Sequence, residues 1–335
     1  MNGKFAHAAA AAAMVLACAL GGAISARADG LVIVPTFDSN FTTAEQAAVN
    51  NAISFYENAF SNNMTVDINF DLMSTTLQNE NYIGYSNWYY ANIPYSTFAA
   101  ALASHSSGDA TDVTALANLP SAPPTSDGFI NVKGENLEAL GLTPPPTNVN
   151  TIQLNLPATT TGGCDPTIYY CYDLETAAEH EIDEVLGLAS GAGGDLYHGD
   201  ALPEDLFRYN GSGQLSYYAN GGAGNTGAAY FSLDGTTDLA QFDNQNDGGD
   251  WGDWQSNPLP DGVTPKVQDA FLTPCPYVAS PACVGPRLNL NSPEVVALDA
   301  IGYNLQPTPE PATFWLLGGG LLLLGIAWKK RAAAR

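Results

Sequence analysis

Asp173-Leu174-Glu175-Thr176-Ala177-Ala178-Glu179-His180-Glu181-Ile182-Asp183-Glu184-Val185-Leu186-Gly187 sets its apolar residues three and four apart, at Leu174, Ala177, Ala178, Ile182, Val185 and Leu186. That spacing predicts a helix over 173–188 with one buried stripe, its end prepared by Gly187. His180 and Glu184 stand one turn apart on a single face with Glu181 beside them, so an imidazole and two carboxylates converge on one small volume. Glu175, Glu179, Glu181, Asp183 and Glu184 place five acids in ten residues, and the stretch holds no Lys or Arg. Each like-charge pair four apart costs roughly 0.2–0.5 kcal/mol on an exposed helix. A bound divalent cation would supply the compensating charge.

The run is a variant of His-Glu-x-x-His, a pattern in which two imidazoles hold zinc and the Glu takes a proton from water. Here Glu184 stands in the second His position, and a carboxylate oxygen is an acceptable zinc ligand. Continued downstream, the residues resemble the metzincin protease pattern His-Glu-x-x-His-x-x-Gly-x-x-His at His180, Glu181 and Gly187, and depart from it at Glu184 and Ser190. The resemblance implies Zn(2+) held by His180 and Glu184, with Glu181 as the catalytic base. A third metal ligand must follow Gly187, and His198 and Asp205 are the rivals. Asp205 is favoured slightly, because Leu206-Phe207-Arg208-Tyr209 would hold it rigidly and Arg208 can pair with a carboxylate.

Of the ten basic residues, six lie near the ends, leaving Lys133, Arg208, Lys266 and Arg287 against every acid but Glu310. So acidic a body repels nucleic acid and anionic membranes and attracts divalent cations. With 45% of residues apolar, the chain can nonetheless fill a core rather than stay disordered. Four cysteines follow Cys18, and local bridges Cys164–Cys171 and Cys275–Cys283 are the simplest of three pairings in an oxidising compartment. Asp243, Asp247 and Asp250 partly imitate a calcium loop, although Trp254 occupies the place of the closing Glu; a structural Ca(2+) competes there with a plain Asn/Gly turn.

Both ends read as addresses. Residues 1–28 have the layout of a secretory signal peptide: Lys4, an apolar run from Ala8 to Ile24, and the small-x-small site Ala26-Arg27-Ala28. At the other end Pro309-Glu310-Pro311 precedes an apolar segment, 312–328, and Lys329-Lys330-Arg331. Some 17 apolar residues lie at the short limit for a transmembrane span. The basic end should stay cytoplasmic. This tail, 307–335, resembles the PEP-CTERM sorting signal of Gram-negative bacteria. The resemblance implies an exosortase-type processing enzyme as partner. It also implies an inner-membrane anchor before processing and a place in the envelope or outside the cell afterwards.

Between them, 29–306 reads as strand Leu31–Val34, a helix from Thr43 to Phe60, and the alternating strand Met64–Phe70. A Tyr- and Trp-rich groove segment spans Asn81–Tyr90, and a helix follows over Pro94–Ala103. Ser104–Ser126 is mixed and ends in Pro/Ser turns, strands are expected at Phe129–Val132 and Thr151–Leu156, and a hairpin at Leu206–Tyr218. A last helix from Pro293 to Ile301 should pack beneath the metal helix. Strand, helix, strands and then the metal helix is the order of the metzincin upper subdomain, in which an edge strand takes substrate as an added strand. Glu204-Asp205-Leu206-Phe207-Arg208-Tyr209, Ala229-Tyr230-Phe231-Ser232-Leu233-Asp234-Gly235, Gly249-Asp250-Trp251-Gly252-Asp253-Trp254 and Ala297-Leu298-Asp299-Ala300-Ile301-Gly302-Tyr303 resemble a family of PEP-CTERM-bearing bacterial proteins classed as metalloproteases. The fold expected is therefore α+β: a metzincin-like zinc-protease domain with a twisted mixed sheet, a long helix and an active-site helix, then a β-rich C-terminal part. The function expected is an exported zinc endopeptidase acting on a peptide or protein. The alternative is a non-catalytic surface or matrix protein that keeps the fold and a structural metal.

Overall fold

The computed structural model describes residues 30–123, 125–146, 149–162, 170–192, 201–217, 227–245, 247–275 and 283–307. The chain divides after Leu305 into a body and a tail, Gln306–Arg335. The expected signal segment 1–28, the apolar segment 312–328, His198 and Cys164 lie outside the described residues. Among the described residues no helix is long and apolar enough to cross a membrane.

β1 (Val32–Phe37) leads into α1 (Thr43–Ala59). The helix starts where it does because Thr42 and Glu45 satisfy each other: the Glu45 N–H donates to the Thr42 hydroxyl at 3.3 Å, and the Thr42 N–H to the Glu45 carboxylate at 2.7 Å. A cap of this kind stabilises a helix by about 1 kcal/mol. β2 (Thr65–Leu72) returns parallel to β1, pairing Val32 with Thr65 and Phe37 with Phe70. Its alternation buries Val66, Ile68 and Phe70, a contribution of about 1.5–3 kcal/mol for each side chain removed from water.

After the short helix α2 (Thr75–Asn79) come β3 (Gly84–Asn87) and β4 (Tyr90–Pro94), then α3 (Tyr95–His105) and α4 (Ala110–Asn118). α4 falls in the segment whose sequence reads as mixed. Asp109 starts it by accepting the Asp112 N–H at 3.0 Å, and Ala115 is its buried apolar contact, too little apolar surface to announce itself as a stripe. β5 (Phe129–Lys133) pairs antiparallel with β4 and runs into α5 (Gly134–Ala139), also unexpected. β6 (Asn150–Leu154) completes the main sheet, parallel to β2 and antiparallel to β3, in the order β1-β2-β6-β3. β3 is thus an antiparallel strand on the edge of an otherwise parallel sheet.

β7 (Thr159–Thr160) and β8 (Tyr172–Asp173) form a small pair that delivers the chain to α6 (Leu174–Leu186), the helix predicted from the apolar spacing. α6 packs on α1, where the buried Tyr56 hydroxyl donates to the Glu179 carbonyl at 2.7 Å, and it lies beside β3. Beyond it a 3-10 turn, Pro203–Phe207, delays the expected strand, so β9 covers only Arg208–Asn210. The expected hairpin forms in shortened form. The Asn210 N–H donates to Gln214 and the Ser216 N–H to Arg208, at 2.8 and 2.9 Å. On its other edge β9 pairs with β10 (Ala229–Phe231), which pairs with β11 (Ala240–Gln241).

These strands are short because side chains hold the region together: Phe207, Phe231, Phe242 and Trp254 form a chain of ring contacts at 5.2–6.5 Å. α7 (Pro293–Ala300) lies against α6. The Tyr303 hydroxyl donates to the Leu186 carbonyl at 2.7 Å, and a Cβ on Gly187 would come within 2.7 Å of Ile301, so only glycine lets the end of α6 meet this segment. The body is α+β, with one mixed sheet and several smaller ones.

Candidate metal centre

α6 is started by Asp173, whose Oδ1 accepts the N–H groups of Glu175 and Thr176 at 2.9 and 3.2 Å. Arg287 then donates to both Asp173 oxygens at 2.9 Å and reaches Glu175 at 2.9 Å. The crowding of acids at the start of the helix is therefore answered by a distant arginine. The case for a cation narrows to the residues further along.

Glu179 and Asp183 are buried with unpartnered oxygens. Burial pushes the Glu179 carboxyl up to about 8, and burial with Glu294 nearby raises Asp183. Neither lines the cleft beside the helix. His180 and Glu184 do, and Asp253 joins them. One ligand atom from each lies within 4.8 Å of the others, with His180 Nε2 3.6 Å from Asp253 and 3.9 Å from Glu184.

Each member of this group is aimed from behind. His180 Nδ1 donates to the Val267 carbonyl at 3.0 Å, which turns Nε2 toward the cluster, where the Gln268 amide nitrogen lies 3.4 Å away. Glu184 accepts from the Ser86 hydroxyl of β3, and Asp253 accepts from the Gln268 amide at 2.8 Å. Lys133, wholly buried, donates to the carbonyls of Glu184 and Leu188 at the end of α6, where the helix dipole favours a cation. The ring of Trp88 lies 3.8 Å from its ammonium. Burial brings this lysine down to about 8, against the pull of Glu184 and other acids.

Glu181 is 5% exposed and its Oε2 has no partner. Burial first, then Glu184, Asp253 and Asp250, hold its carboxyl well above the usual range, and Asp253 is raised for the same reasons. It packs on the bare backbone of Gly84, where a Cβ would stand 2.0 Å from Glu181 Oε1. The open cleft, about 1060 Å³, is walled by Tyr82, Tyr85, Trp88 and Tyr90 on one side and Asp250, Trp251 and Phe271 on the other. The aromatic wall is the segment expected from its Tyr and Trp content.

The structure thus brings together His180, Glu181 and Glu184 but supplies Asp253, not Asp205, as the third converging group. Asp205 is wholly buried elsewhere, accepting from the Ser190 hydroxyl, the Gly191 N–H at 3.0 Å and the Leu202 N–H at 2.9 Å. Ser190, at the position of the third His in the longer pattern, is spent on that loop. Arg208 makes hydrogen bonds to neutral acceptors, the Trp251 carbonyl at 2.8 Å and Asn244 at 2.9 Å, and lies over the Phe242 ring. Burial lowers it to about 10, against Asp205, Glu204 and Asp243.

Asp253 lies in the stretch Gly249–Trp254 that carries the family resemblance, and the glycine before it is a further signal. A Cβ on Gly252 would stand 2.8 Å from the backbone of Ala189 and Ser190, so this loop touches the end of α6 only through glycine.

The expected calcium triplet is split. Asp243 faces Asp247 and is pushed up to about 7 by burial and that neighbour, whereas Asp250 responds to Glu184 and His180 at the cleft. The bridge Cys275–Cys283 is formed. Cys171 is also disulfide-bonded, and Cys164, its expected partner, lies outside the described residues.

Comparison with known proteins speaks to the tail. Residues 307–331 match the PEP-CTERM protein-sorting motif. This is a signal recognised by exosortase processing machinery, and it implies export with a membrane-anchored sorting signal. No curated protein and no solved structure matches the chain.

Proposed function

We propose that the body is an exported metal-dependent endopeptidase in which His180, Glu184 and Asp253 hold a divalent transition metal, zinc foremost, and Glu181 is the general base. The observation that carries this reading is a buried carboxyl with an unpartnered oxygen, beside three convergent donors, on the wall of an open cleft. The donor set fits the ion: one imidazole with its far nitrogen fixed by a carbonyl, and two carboxylates each anchored by a neighbour. When bound, zinc supplies a Lewis acid for a carbonyl and a water.

Glu181, made more basic by burial and by its acidic neighbours, is the group suited to take a proton from water and pass it to the leaving amine. Among the described residues no strand pairs with the outer edge of β3, which lines the cleft, and an extended peptide can add there as a further strand. A parallel pair joined by a long helix, an antiparallel edge strand and the motif helix beside it support a metzincin-like arrangement, with the third ligand drawn from a later loop. A structural metal site would have no use for Glu181. The alternative, a non-catalytic surface protein, has on its side the single imidazole of the ligand set.

The deciding experiment compares the parent with Glu181→Gln on a peptide library, with the metal content of both measured. Both should hold one metal per chain, and the variant should lose about 10²–10⁴ in kcat. Cleavage by the variant at the parent's rate would remove Glu181 as base. Two metal-loaded proteins that cleave nothing would favour the non-catalytic protein.

A further inference from the structure

A second group of ligands lies outside the cleft. Asp109, at the start of α4, Asp112, in its first turn, and Asp299, in the last turn of α7, bring one carboxylate oxygen each within 4.8 Å of the others. Asp299 is 0% exposed, and neither of its oxygens has a hydrogen-bond partner within 3.5 Å, the Thr111 hydroxyl and Asp109 approaching it only more loosely. It stands at the end of its helix where the dipole is negative and a carboxylate is least welcome. Among the described residues no Lys, Arg or His forms an ion pair with any of the three. Leaving a buried carboxylate unpartnered costs several kcal/mol unless it is neutralised.

Two of the three are already fixed in place. Asp112 Oδ2 accepts the Ser107 hydroxyl at 2.8 Å and the Gly108 N–H at 3.0 Å, and Asp109 Oδ1 accepts the Asp112 N–H. One oxygen on each therefore stays available, and Asp299 adds two.

We infer that Asp109, Asp112 and Asp299 form a structural calcium site that ties α7 to the start of α4. An all-oxygen, triply anionic set selects a hard cation and not zinc. Calcium accepts six to eight oxygens in loose geometry, so carbonyls or water complete the shell. The site differs from the Asp243–Asp247 loop, and it does not depend on the peptidase reading. Besides burial, the influences on Asp299 are Asp109 and Asp112, offset weakly by Thr111, and together they push it up to about 8 when no cation is present. Sharing a proton is thus the competing way to neutralise the cluster.

The ion would also bear on the cleft at a distance. Glu294, at the other end of α7, accepts the Trp254 indole N–H at 3.0 Å and the Gln268 N–H at 3.1 Å, and Gln268 holds Asp253. Fixing α7 fixes that scaffold.

The test is a CaCl2 titration of the full chain after removal of metal with chelator, followed by calorimetry and thermal unfolding. Parent protein should bind one calcium here with a Kd of about 10⁻⁴–10⁻³ M, the range of extracellular calcium modules. Its Tm should rise by roughly 5 °C at a hundredfold excess over Kd. Asp299→Asn, and separately the more accessible Asp109→Asn, should lose that rise, while their metal content measured before the chelator step equals the parent's. A response absent from the parent, or kept in both variants and lost in Asp243→Asn, would overturn the assignment. A response to MgCl2 as large as that to CaCl2 would overturn the choice of calcium.

Discussion

His180, Glu184 and Asp253 meet on the wall of an open cleft, with an imidazole among them and an unpartnered acid alongside. Asp109, Asp112 and Asp299 meet between two helix ends, with oxygen donors alone and one member wholly buried. Both groups gather negative charge that the fold leaves unbalanced. They differ in what a cation could do once there. An imidazole, room for a peptide and a neighbouring base make a place for chemistry; three carboxylates pinned to two helices make a fastening. Acid content alone therefore says little about function in this chain. Donor type, access and the nearest free base separate the two.

The sharpest way to break the comparison is to take away the third donor of the cleft. Asp253→Ala should lower metal affinity by a hundredfold or more and abolish cleavage while leaving the calcium-dependent rise in Tm intact. Asp205→Ala is its control: metal content should stay at one per chain, while stability drops by about 3 kcal/mol because three donors lose a buried acceptor. Metal analysis and denaturant unfolding of the two variants read these outcomes. A metal lost from Asp205→Ala and kept in Asp253→Ala would reverse the ligand assignment.

A gentler change tests the base without touching a ligand. In Gly84→Ala the new methyl occupies the space of Glu181 Oε1 and must displace that carboxyl. A shift of about 1 Å in a reacting group can cost on the order of 10²-fold, so kcat should fall by about tenfold to a hundredfold with metal content unchanged. Equal kcat in the variant and the parent would show that the position of Glu181 does not matter to turnover.

The smallest effect concerns pH. Glu179 and Asp299 are each raised to about 8 and Asp269 to about 7, all chiefly by burial, above the value near 4 of an unfolded carboxyl. Between those values the folded state binds more protons than the unfolded one, so stability falls as pH rises from 4 to 8 and levels off above that. Metal-free protein should accordingly lose several degrees of Tm across this window. Calcium should restore part of the loss at pH 8 and almost none at pH 4.5, where Asp299 keeps its proton. A Tm that is flat or rising across the window would contradict these shifts.

The motif helix was legible because two signals coincide in it, the apolar spacing and Gly187; its Asp173 cap came to light only in the structure. β1, α1 and β2 were legible because Val66, Ile68 and Phe70 alternate cleanly and Thr43-Ala44-Glu45 marks the start of the helix, although the capping residue proves to be Thr42. α4 was not, since a helix held by its cap and by Asp112 shows little apolar periodicity. Asp253 was hidden for another reason. It reaches His180 across a contact between two loops that depends on Gly252, and spacing along the chain carries no trace of it. Asp205 drew attention through its rigid apolar neighbours, and that rigidity proves to serve its own buried hydrogen bonds. Arg287 likewise answers Asp173 from far along the sequence, so a local count of charges overstated the need for a cation at the start of α6.

The burial of Lys133 and Arg208 has a consequence for survival outside the cell. Trypsin-like enzymes cut after Lys or Arg, and residues 29–306 offer Lys133, Arg208, Lys266 and Arg287 alone. The first two are 0% exposed, and Arg287 is clasped by Asp173 and Glu175. Lys266 is left as the accessible basic residue, so a folded molecule shows such an enzyme almost nothing to cut. The same scarcity limits tryptic peptide mapping, which would return few peptides from this body, 267–287 the short one among long fragments.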